Sequence, residues 1–235
     1  MRSTAPRKAK PAKKRTSTKK KAGYTSPQRL KKIFGGLERL FPDAECALTH
    51  SNAFQLLVAT ILSAQCTDQR VNKVTPSLFK KYPGPMDFAR LDQKVLEEDI
   101  RSTGFFRNKA KNIIGAAKRV VGNFKGKVPK TMDELLTLPG VARKTANVVL
   151  GSAFGIATGV VVDTHVFRIA RRLKLSSGKT PEKVELDLIE LVPKDRWITF
   201  GHQVIWFGRG ICQARKPMCI DCPLESLCDA PDKTV

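Results

Sequence analysis

Two adjacent cations stand at the entrance of an apolar helical run, directly after a turn. In the stretch LPGVARKTANVVL, residues 138–150, Pro139 and Gly140 turn the chain just ahead of Arg143 and Lys144. The first turn of a helix exposes unpaired N–H groups at the positive end of the helix dipole. The stretch therefore predicts an anion site that a phosphate group would suit. The lysine needs a further explanation, because it adds a cation where the helix end is already positive.

A second group of reactive side chains lies near the C-terminus and has the spacing C-x6-C-x2-C-x5-C. Its members are Cys212, Cys219, Cys222 and Cys228. Clustered cysteines favour a metal over disulfides in an intracellular protein. A single C-x2-C pair between longer arms is compatible with zinc or with a [4Fe–4S] cluster. A metal centre would fix both ends of the loop between Cys212 and Cys219. The loop would then present Arg215 and Lys216 to phosphates. Cys46 and Cys66 lie outside the pattern and are expected to be buried thiols.

The charge balance points to a polyanionic partner. The chain has 43 Lys and Arg against 21 Asp and Glu, a formal net charge of +22. Such an excess favours nucleic acid as the partner. Residues 1–24 form a basic tail without an acidic residue and, between Arg2 and Gly23, without a large apolar one; the first acidic residue of the chain is Glu38. Because the tail cannot bury enough surface to offset the entropy of ordering, we expect it to be disordered.

The apolar stretches do not predict a membrane protein. The longest, residues 148–162, is interrupted by Gly, Ser and Thr, and it is shorter than the roughly 20 residues that a membrane span needs. There is no apolar segment of the kind that secretion signals carry. We therefore expect a cytoplasmic monomer without a membrane partner, associated with the nucleoid if the protein is bacterial.

Hydrophobic periodicity predicts an all-α fold, with no convincing strand alternation. Ser26 and Pro27 are expected to open the first helix. Ser51 or Asn52 would cap the second helix, which is apolar nearly all round and should be central. The buried stripe of the first helix is predicted at Leu30, Ile33, Phe34, Leu37 and Leu40. Further helical patterns cover residues 71–83, 86–91, 93–102, 108–124, 132–138, 162–173, 180–193 and 197–212.

The hairpin stretch and the later VDTHVFRIARRL, residues 162–173, resemble the endonuclease III family of base-excision DNA glycosylases. The short helix, LPGV turn and second helix resemble the helix-hairpin-helix motif of DNA-binding proteins. The resemblance extends from about residue 26 to residue 228, and it implies a [4Fe–4S] cluster on the four cysteines. It implies two helical domains with DNA in the cleft between them. One is a helical bundle at 46–157 with the hairpin, and the other is a cluster domain made of 25–45 and 158–235.

The resemblance implies a bifunctional glycosylase and AP lyase that removes oxidised pyrimidines from damaged double-stranded DNA. The residue that matches Lys144 is the nucleophile in that family, and the one that matches Asp163 assists it. Lysine attacks a sugar C1′ only as a neutral amine, and Arg143 and the helix end both disfavour a second positive charge there. Asp163 would stabilise positive charge on the sugar. It could also cap the following helix, and the two roles are compatible.

Further DNA contacts follow from the resemblance, because an enzyme that acts on a base must take it out of the stack. Gln65 of LSAQ would enter the duplex and face the orphaned base, and Phe105 matches a position where relatives carry an apolar wedge. The remaining expected DNA-binding residues are Gly140, Val141, Arg143, His165, Arg215 and Lys216. The structural alternatives are a solvated glutamine in a turn and a histidine that only packs.

Some alternatives remain open at this point. Relatives usually carry glycine where this hairpin has Ala142, which would be strained if the position were left-handed. Adenine glycosylases of the same superfamily lack the hairpin lysine, and mismatch-thymine and pyrimidine-dimer specialists share much of the framework. A cluster-bearing DNA-binding or redox protein without glycosylase activity is the alternative from another class. The presence of both Lys144 and Asp163 speaks against it.

Overall fold

The computed structural model describes residues 25–234, which fold into eleven α-helices without a β-strand. The helices are α1 (Pro27–Leu40), α2 (Ala53–Leu62), α3 (Asp68–Lys81), α4 (Pro85–Arg90), α5 (Gln93–Asp99), α6 (Phe106–Phe124), α7 (Met132–Leu136), α8 (Arg143–Phe154), α9 (Thr164–Arg172), α10 (Pro181–Leu191) and α11 (Trp197–Gly210). Short 3-10 turns cover Arg101–Thr103, Lys194–Arg196 and Glu225–Leu227. The predicted all-α fold is confirmed. The tail predicted at 1–24 lies outside the described residues.

Side-chain caps determine where several helices begin. Ser26 caps α1 as predicted, and Asn52 rather than Ser51 caps α2. Helix α3 begins before the predicted start at residue 71, because Thr67 accepts a hydrogen bond from the amide of Arg70. Each cap satisfies an amide that the helix itself leaves unpaired.

A first apolar core surrounds α2, which is buried on nearly all sides as predicted. Helices α3, α6 and α8 pack around it. The ring of Phe54 meets that of Phe88 edge-on at 5.5 Å between centroids. Helix α8 is therefore anchored by its buried side chains, including Ala146, Val149 and Leu150, while its first turn stays at the surface.

A second apolar core is built from helices at opposite ends of the described chain: α1 packs on α11, and α11 packs on α9. The ring of Phe34 meets that of Phe200 edge-on at 5.5 Å between centroids. Ile33, Phe34 and Leu37 are buried as predicted, whereas Leu30 and Leu40 of the predicted stripe are only partly buried. The chain thus leaves this core after α1 and returns to it at Val160, just before α9.

Polar contacts join the two cores. Glu185 of α10 is 7% exposed and accepts hydrogen bonds of 3.2 Å from both Nε and Nη2 of Arg143 and of 3.0 Å from Nδ2 of Asn147. Asp68, at the start of α3, forms an ion pair with Arg209 of α11. These contacts hold α8 and α3 of the first core against α10 and α11 of the second, with a cleft between them.

None of the helices between residues 25 and 234 combines the length and apolar character needed to cross a membrane.

Candidate active site and cysteine centre

The hairpin ahead of α8 depends on a glycine. Gly140 has φ of +76°, and a Cβ at this position would lie 2.8 Å from Cβ of Asn112. The left-handed backbone and the close approach both exclude larger residues. Leu138 and Val141, on either side of the turn, are buried in the first core and anchor it. The hairpin is therefore anchored in the first core by these two side chains, and the start of α8 lies at the surface.

Ala142 is not strained in this hairpin. It is the N-cap of α8 with an extended backbone, φ −97° and ψ 171°, so the left-handed residue of the turn is Gly140 instead. The alanine side chain cannot cap the helix, so no side chain accepts from the first-turn amides of α8. These amides remain available to an anion, as the sequence predicts.

Lys144 is exposed at the first turn of α8 and lines a cleft. Among residues 25–234 it has no hydrogen-bond or ion-pair partner. Its neighbour Arg143 is held by both carboxylate oxygens of Glu185, at 3.2 Å each. The sequence treats Arg143 as an isolated cation beside the lysine, whereas the fold offsets that charge with a carboxylate. The positive end of the α8 dipole then lies beside Lys144 without a carboxylate paired to it.

Asp163 caps α9 through one carboxylate oxygen. Its Oδ1 accepts hydrogen bonds of 2.8 Å from the amides of His165 and Val166. No donor in the described part of the chain bonds its Oδ2. The cap fixes the carboxylate in the cleft and leaves one oxygen for a substrate, so a capping role and a chemical role can coexist.

The cleft between the two cores has a volume of about 570 Å³. It brings together Lys144 from the first core and Asp163 from the second, and both lie where a helix begins. Gln65 and His165 line the same cleft. The structure adds Ser63, Cys66, Thr67, Asp68, Gln69, Thr164 and Arg209 to its lining. The other expected DNA-binding residues, Phe105, Gly140, Val141, Arg143, Arg215 and Lys216, lie outside this lining.

Gln65 and Phe105 share an unusual backbone. Both have left-handed φ values, 53° and 48°, although neither is a glycine. Both side chains are exposed, and the Phe105 residue is 62% exposed. Non-glycine residues in this region are uncommon and cluster at functional sites. The two residues predicted to enter DNA therefore combine exposure with a left-handed backbone, which Lys125 and Lys174 also adopt at the ends of helices.

His165 is half-buried, and its Nδ1 lies 3.3 Å from Nη2 of Arg168. The same guanidinium nitrogen donates to the carbonyls of Gly208 and Cys212 at 2.9 Å each. His165 thus joins the edge of the cleft to the segment that carries the cysteines.

The four cysteines of the C-terminal pattern line one cavity. Burial raises the pKa of the Cys222 and Cys228 thiols, and the neighbouring cysteines raise both further. Thiols with raised pKa values become thiolates readily only beside a compensating cation, and a metal centre would provide it.

The four cysteines share this cavity without forming a compact ligand group. Within residues 25–234, no three His, Cys, Asp or Glu side chains are arranged so that they could hold a single metal ion. Zinc and a [4Fe–4S] cluster are both bound by four thiolates, so the ligand types suit either centre.

Arg172 is the buried partner of the cysteine segment. It is 8% exposed, and its Nη1 donates to Sγ of Cys212 at 3.3 Å and to the carbonyl of Gln213 at 2.7 Å. Its Nη2 donates to the carbonyl of Ala214 at 3.1 Å and pairs with Asp232. This role of Arg172 is not among the predictions made from the sequence. Arg168 and Arg172 are four residues apart in RIARR, so they share one face of α9, and this spacing is the signal that could have found them.

Arg215 and Lys216 are exposed in the interval between Cys212 and Cys219. The interval is held at its base by Arg172 and by a 3.0 Å hydrogen bond from the amide of Met218 to the carbonyl of Ile211. The two cations therefore project from a loop whose ends are both fixed.

Comparisons with known proteins give one family model and a set of similar proteins. Residues 58–194 match the family described as HhH-GPD superfamily base excision DNA repair protein. The chain is 56% identical over 201 residues to Endonuclease III of Synechocystis sp. (strain ATCC 27184 / PCC 6803 / Kazusa), covering 86% of this chain and 92% of that protein. It is 40% identical over 192 residues to Endonuclease III of Escherichia coli (strain K12), covering 82% and 90%.

Among solved structures, a trapped endonuclease III–DNA covalent intermediate, described as an estranged-adenine complex, superposes with a TM-score of 0.83 at 45% identity. The match covers 87% of this chain and 96% of that one. A thermostable thymine-DNA glycosylase superposes with a TM-score of 0.74 at 24% identity, covering 86% and 96%, which is a likeness of fold alone.

Proposed function

The chain belongs to the endonuclease III family of the HhH-GPD superfamily, and on this premise we propose how its cleft performs the family's reaction. It is a base excision repair enzyme, a bifunctional DNA glycosylase and AP lyase that acts on damaged DNA. The observation that carries the proposal is the meeting of Lys144 and Asp163 in one cleft. One comes from each apolar core, and each stands at the start of a helix.

We propose that Lys144 is the nucleophile. Its neutral Nζ attacks C1′ of the lesion nucleotide, and the bond from C1′ to the base nitrogen breaks, with its electron pair leaving on the base. The base takes up a proton, and the sugar ring opens to leave an iminium between Nζ and C1′. The exposed position of Lys144 in the cleft supports this role, since the amine must be free to reach the substrate.

The lyase step follows from the iminium. The positive nitrogen acidifies a C2′ proton, a base removes that proton, and the C3′–O3′ bond breaks with loss of the 3′ phosphate. Water then hydrolyses the imine and returns the free lysine. Asp163 would stabilise positive charge on the opening sugar and help to move protons through Oδ2, because Oδ1 is already held by two amides of α9.

The remaining site residues are proposed as DNA contacts. The open amides of α8, with Gly140 and Val141 in the turn, would hold a phosphate. Gln65 and Phe105 would occupy the space left by the extruded base, in line with their exposed side chains and left-handed backbone. Arg143, His165, Arg215 and Lys216 would complete the contacts to DNA.

The endonuclease III family generally contains an iron–sulfur centre, and we propose that this chain holds a [4Fe–4S] cluster on Cys212, Cys219, Cys222 and Cys228. Their arrangement around one cavity supports it. The cluster would bind the four thiolates and so stabilise the segment that carries Arg215 and Lys216.

The two apolar cores support a division into two domains, 46–157 and 25–45 with 158–235, and the catalytic cleft would be their boundary. We propose oxidised pyrimidines as the substrate class, by analogy with the family. A cytoplasmic, nucleoid-associated location is proposed on the same ground, since the relatives named above are bacterial.

Replacement of the nucleophile tests the proposal. Lys144→Gln should abolish borohydride trapping on abasic DNA and strand cleavage, while duplex binding stays largely intact, because only the amine is lost. Lys118→Gln, at an exposed position on α6, is the matched control and should behave like the wild type. Normal trapping by Lys144→Gln would overturn the assignment. A protein that only binds DNA would fail to trap even in its wild-type form.

The substrate class needs its own measurement. Single-turnover excision should be fastest for an oxidised pyrimidine in duplex DNA, and slower for a mismatched thymine or a pyrimidine dimer. The reverse order would assign the chain to one of those specialist activities.

A further inference from the structure

A buried lysine connects the two segments that carry Gln65 and Phe105. Lys109 lies on the first turns of α6 and is 4% exposed, although lysine is almost never buried. Its Nζ donates hydrogen bonds of 2.8 Å to the carbonyl of Leu62 and of 2.8 Å to the carbonyl of Thr103. These carbonyls belong to residues 41 positions apart, so one ammonium group joins two separate parts of the chain.

Each carbonyl stands just before one of the two exposed, left-handed residues. Leu62 ends α2 and is followed three residues later by Gln65. Thr103 ends a 3-10 turn and is followed two residues later by Phe105. In both segments the order along the chain is therefore the same. A helical turn ends at a carbonyl that accepts from Lys109, and a residue with left-handed φ follows.

The carbonyl of Leu62 has particular need of such a donor. The last carbonyls of a helix have no partner within the helix, and a cation at this end also interacts favourably with the helix dipole. Burial lowers the pKa of Lys109. The two carbonyls compensate for part of the lost hydration, because a buried charge must be hydrogen-bonded. Ala110 and Ile113 on the same helix are buried in the first apolar core.

We propose that Lys109 is a positioning residue that holds the Gln65 and Phe105 segments in a fixed relation, so that both side chains enter the DNA duplex together. The inference rests on the proposed function, in which these two side chains fill the space left by the extruded base. Lys109 itself is buried and does not touch DNA. Strained backbone persists only where the surrounding structure holds it, and the two hydrogen bonds of Lys109 lie next to both strained positions.

The test replaces the ammonium by a side chain of similar length. Lys109→Met leaves both carbonyls without their donor, and Lys118→Met on the exposed face of α6 is the matched control. Two rates are measured, each normalised to the fraction of protein that borohydride can trap. One is single-turnover excision of an oxidised pyrimidine from duplex DNA. The other is strand cleavage at an abasic site in single-stranded DNA, where no partner base has to be separated.

We expect Lys109→Met to slow duplex excision by about 10- to 100-fold, the scale of a misplacement of about 1 Å. The single-stranded rate should stay at the wild-type value, and Lys118→Met should change neither rate. An equal fall in both rates would overturn the proposal, because it would mean that Lys109 only supports the fold. If Lys109→Met does not fold, Lys109→Arg keeps the charge but moves the donors, and it should lower the ratio of duplex to single-stranded rates.

A double-mutant cycle gives an independent readout. In a Gln65→Ala, Phe105→Ala background the inserting side chains are gone, so adding Lys109→Met should change duplex excision little. An additional loss as large as that in the wild-type background would show that Lys109 acts by another route. The result is separable from the proposed function itself, because wild-type protein that fails to trap abasic DNA would contradict the proposed function whatever the variants do.

Discussion

The two apolar cores of the protein are stabilised in different ways. The first, around α2, is enclosed by helices that follow one another along the chain from α2 to α8. The second gathers helices from both ends of the described chain and also holds residues 212–234, whose regular structure is limited to one 3-10 turn. Burial of apolar surface accounts for the first core. The second has to hold a segment with few backbone hydrogen bonds of its own.

Arginine side chains supply hydrogen bonds to backbone carbonyls in and around that segment. Arg168 and Arg172 on α9 donate to the carbonyls of Gly208, Cys212, Gln213 and Ala214. Arg29 on α1 donates to the carbonyl of Leu173 at 3.0 Å and also to that of Leu227. The first core is closed mainly by apolar side chains and contains one buried cation, Lys109, whereas the second uses Arg29, Arg168 and Arg172 to bond its irregular segment.

The largest expected effect comes from removing one cysteine of the second core. Cys219→Ser should lose iron, acid-labile sulfide and soluble yield together, because metal ligation contributes folding energy directly. Cys46→Ser, at a thiol packed against the first core, should keep all three. The measurements are iron and sulfide content and the visible absorption of the purified proteins. A colourless wild-type protein with stoichiometric zinc would contradict the [4Fe–4S] assignment.

A smaller effect is expected where the two cores meet. Glu185→Gln removes the charge that holds Arg143, while its amide oxygen can still accept from Asn147. The free energy of unfolding should fall by about 1.5–3 kcal/mol, the usual range for hydrogen bonds to charged groups. Glu190→Gln, at an exposed position of the same helix, should leave it nearly unchanged. Urea unfolding checks both variants. Equal urea midpoints for Glu185→Gln and the wild type would show that the contact between Glu185 and Arg143 does not stabilise the packing of the two cores.

The smallest effect on the folded protein is expected from the basic tail. Deletion of residues 1–22 should leave iron content and unfolding unchanged, and it should weaken binding to all duplexes similarly. Each phosphate contact that is lost should flatten the plot of log affinity against log salt by about 0.9. Lesion preference and single-turnover chemistry should stay the same, since Lys144, Asp163 and Gln65 remain. The measurement is affinity against salt on lesion and undamaged duplexes, and an unchanged slope would show that the tail does not contact DNA.

Local signals allowed much of the fold to be predicted. Periodicity and caps located most of the helices, including α1 with Ser26 at its start and α2 as the buried centre. The predicted start of α3 at residue 71 is too late, because the helix begins at the Thr67 cap, ahead of its first buried apolar residue, Val71. The hairpin and the four-cysteine pattern are each continuous along the chain, so the residues alone were enough to recognise both.

The sequence by itself determined the helical class, the lysine at the entrance of α8, the carboxylate that caps α9 and the cysteine spacing, because each depends on residues close together along the chain. The tertiary structure alone decided three other features. It paired Arg143 with Glu185, 42 residues away. It placed Arg172 so that it donates to Sγ of Cys212, and it buried Lys109 between two carbonyls. The physical reason is that these contacts depend on which helix faces meet, and hydrophobic periodicity marks a face as buried without specifying its partner.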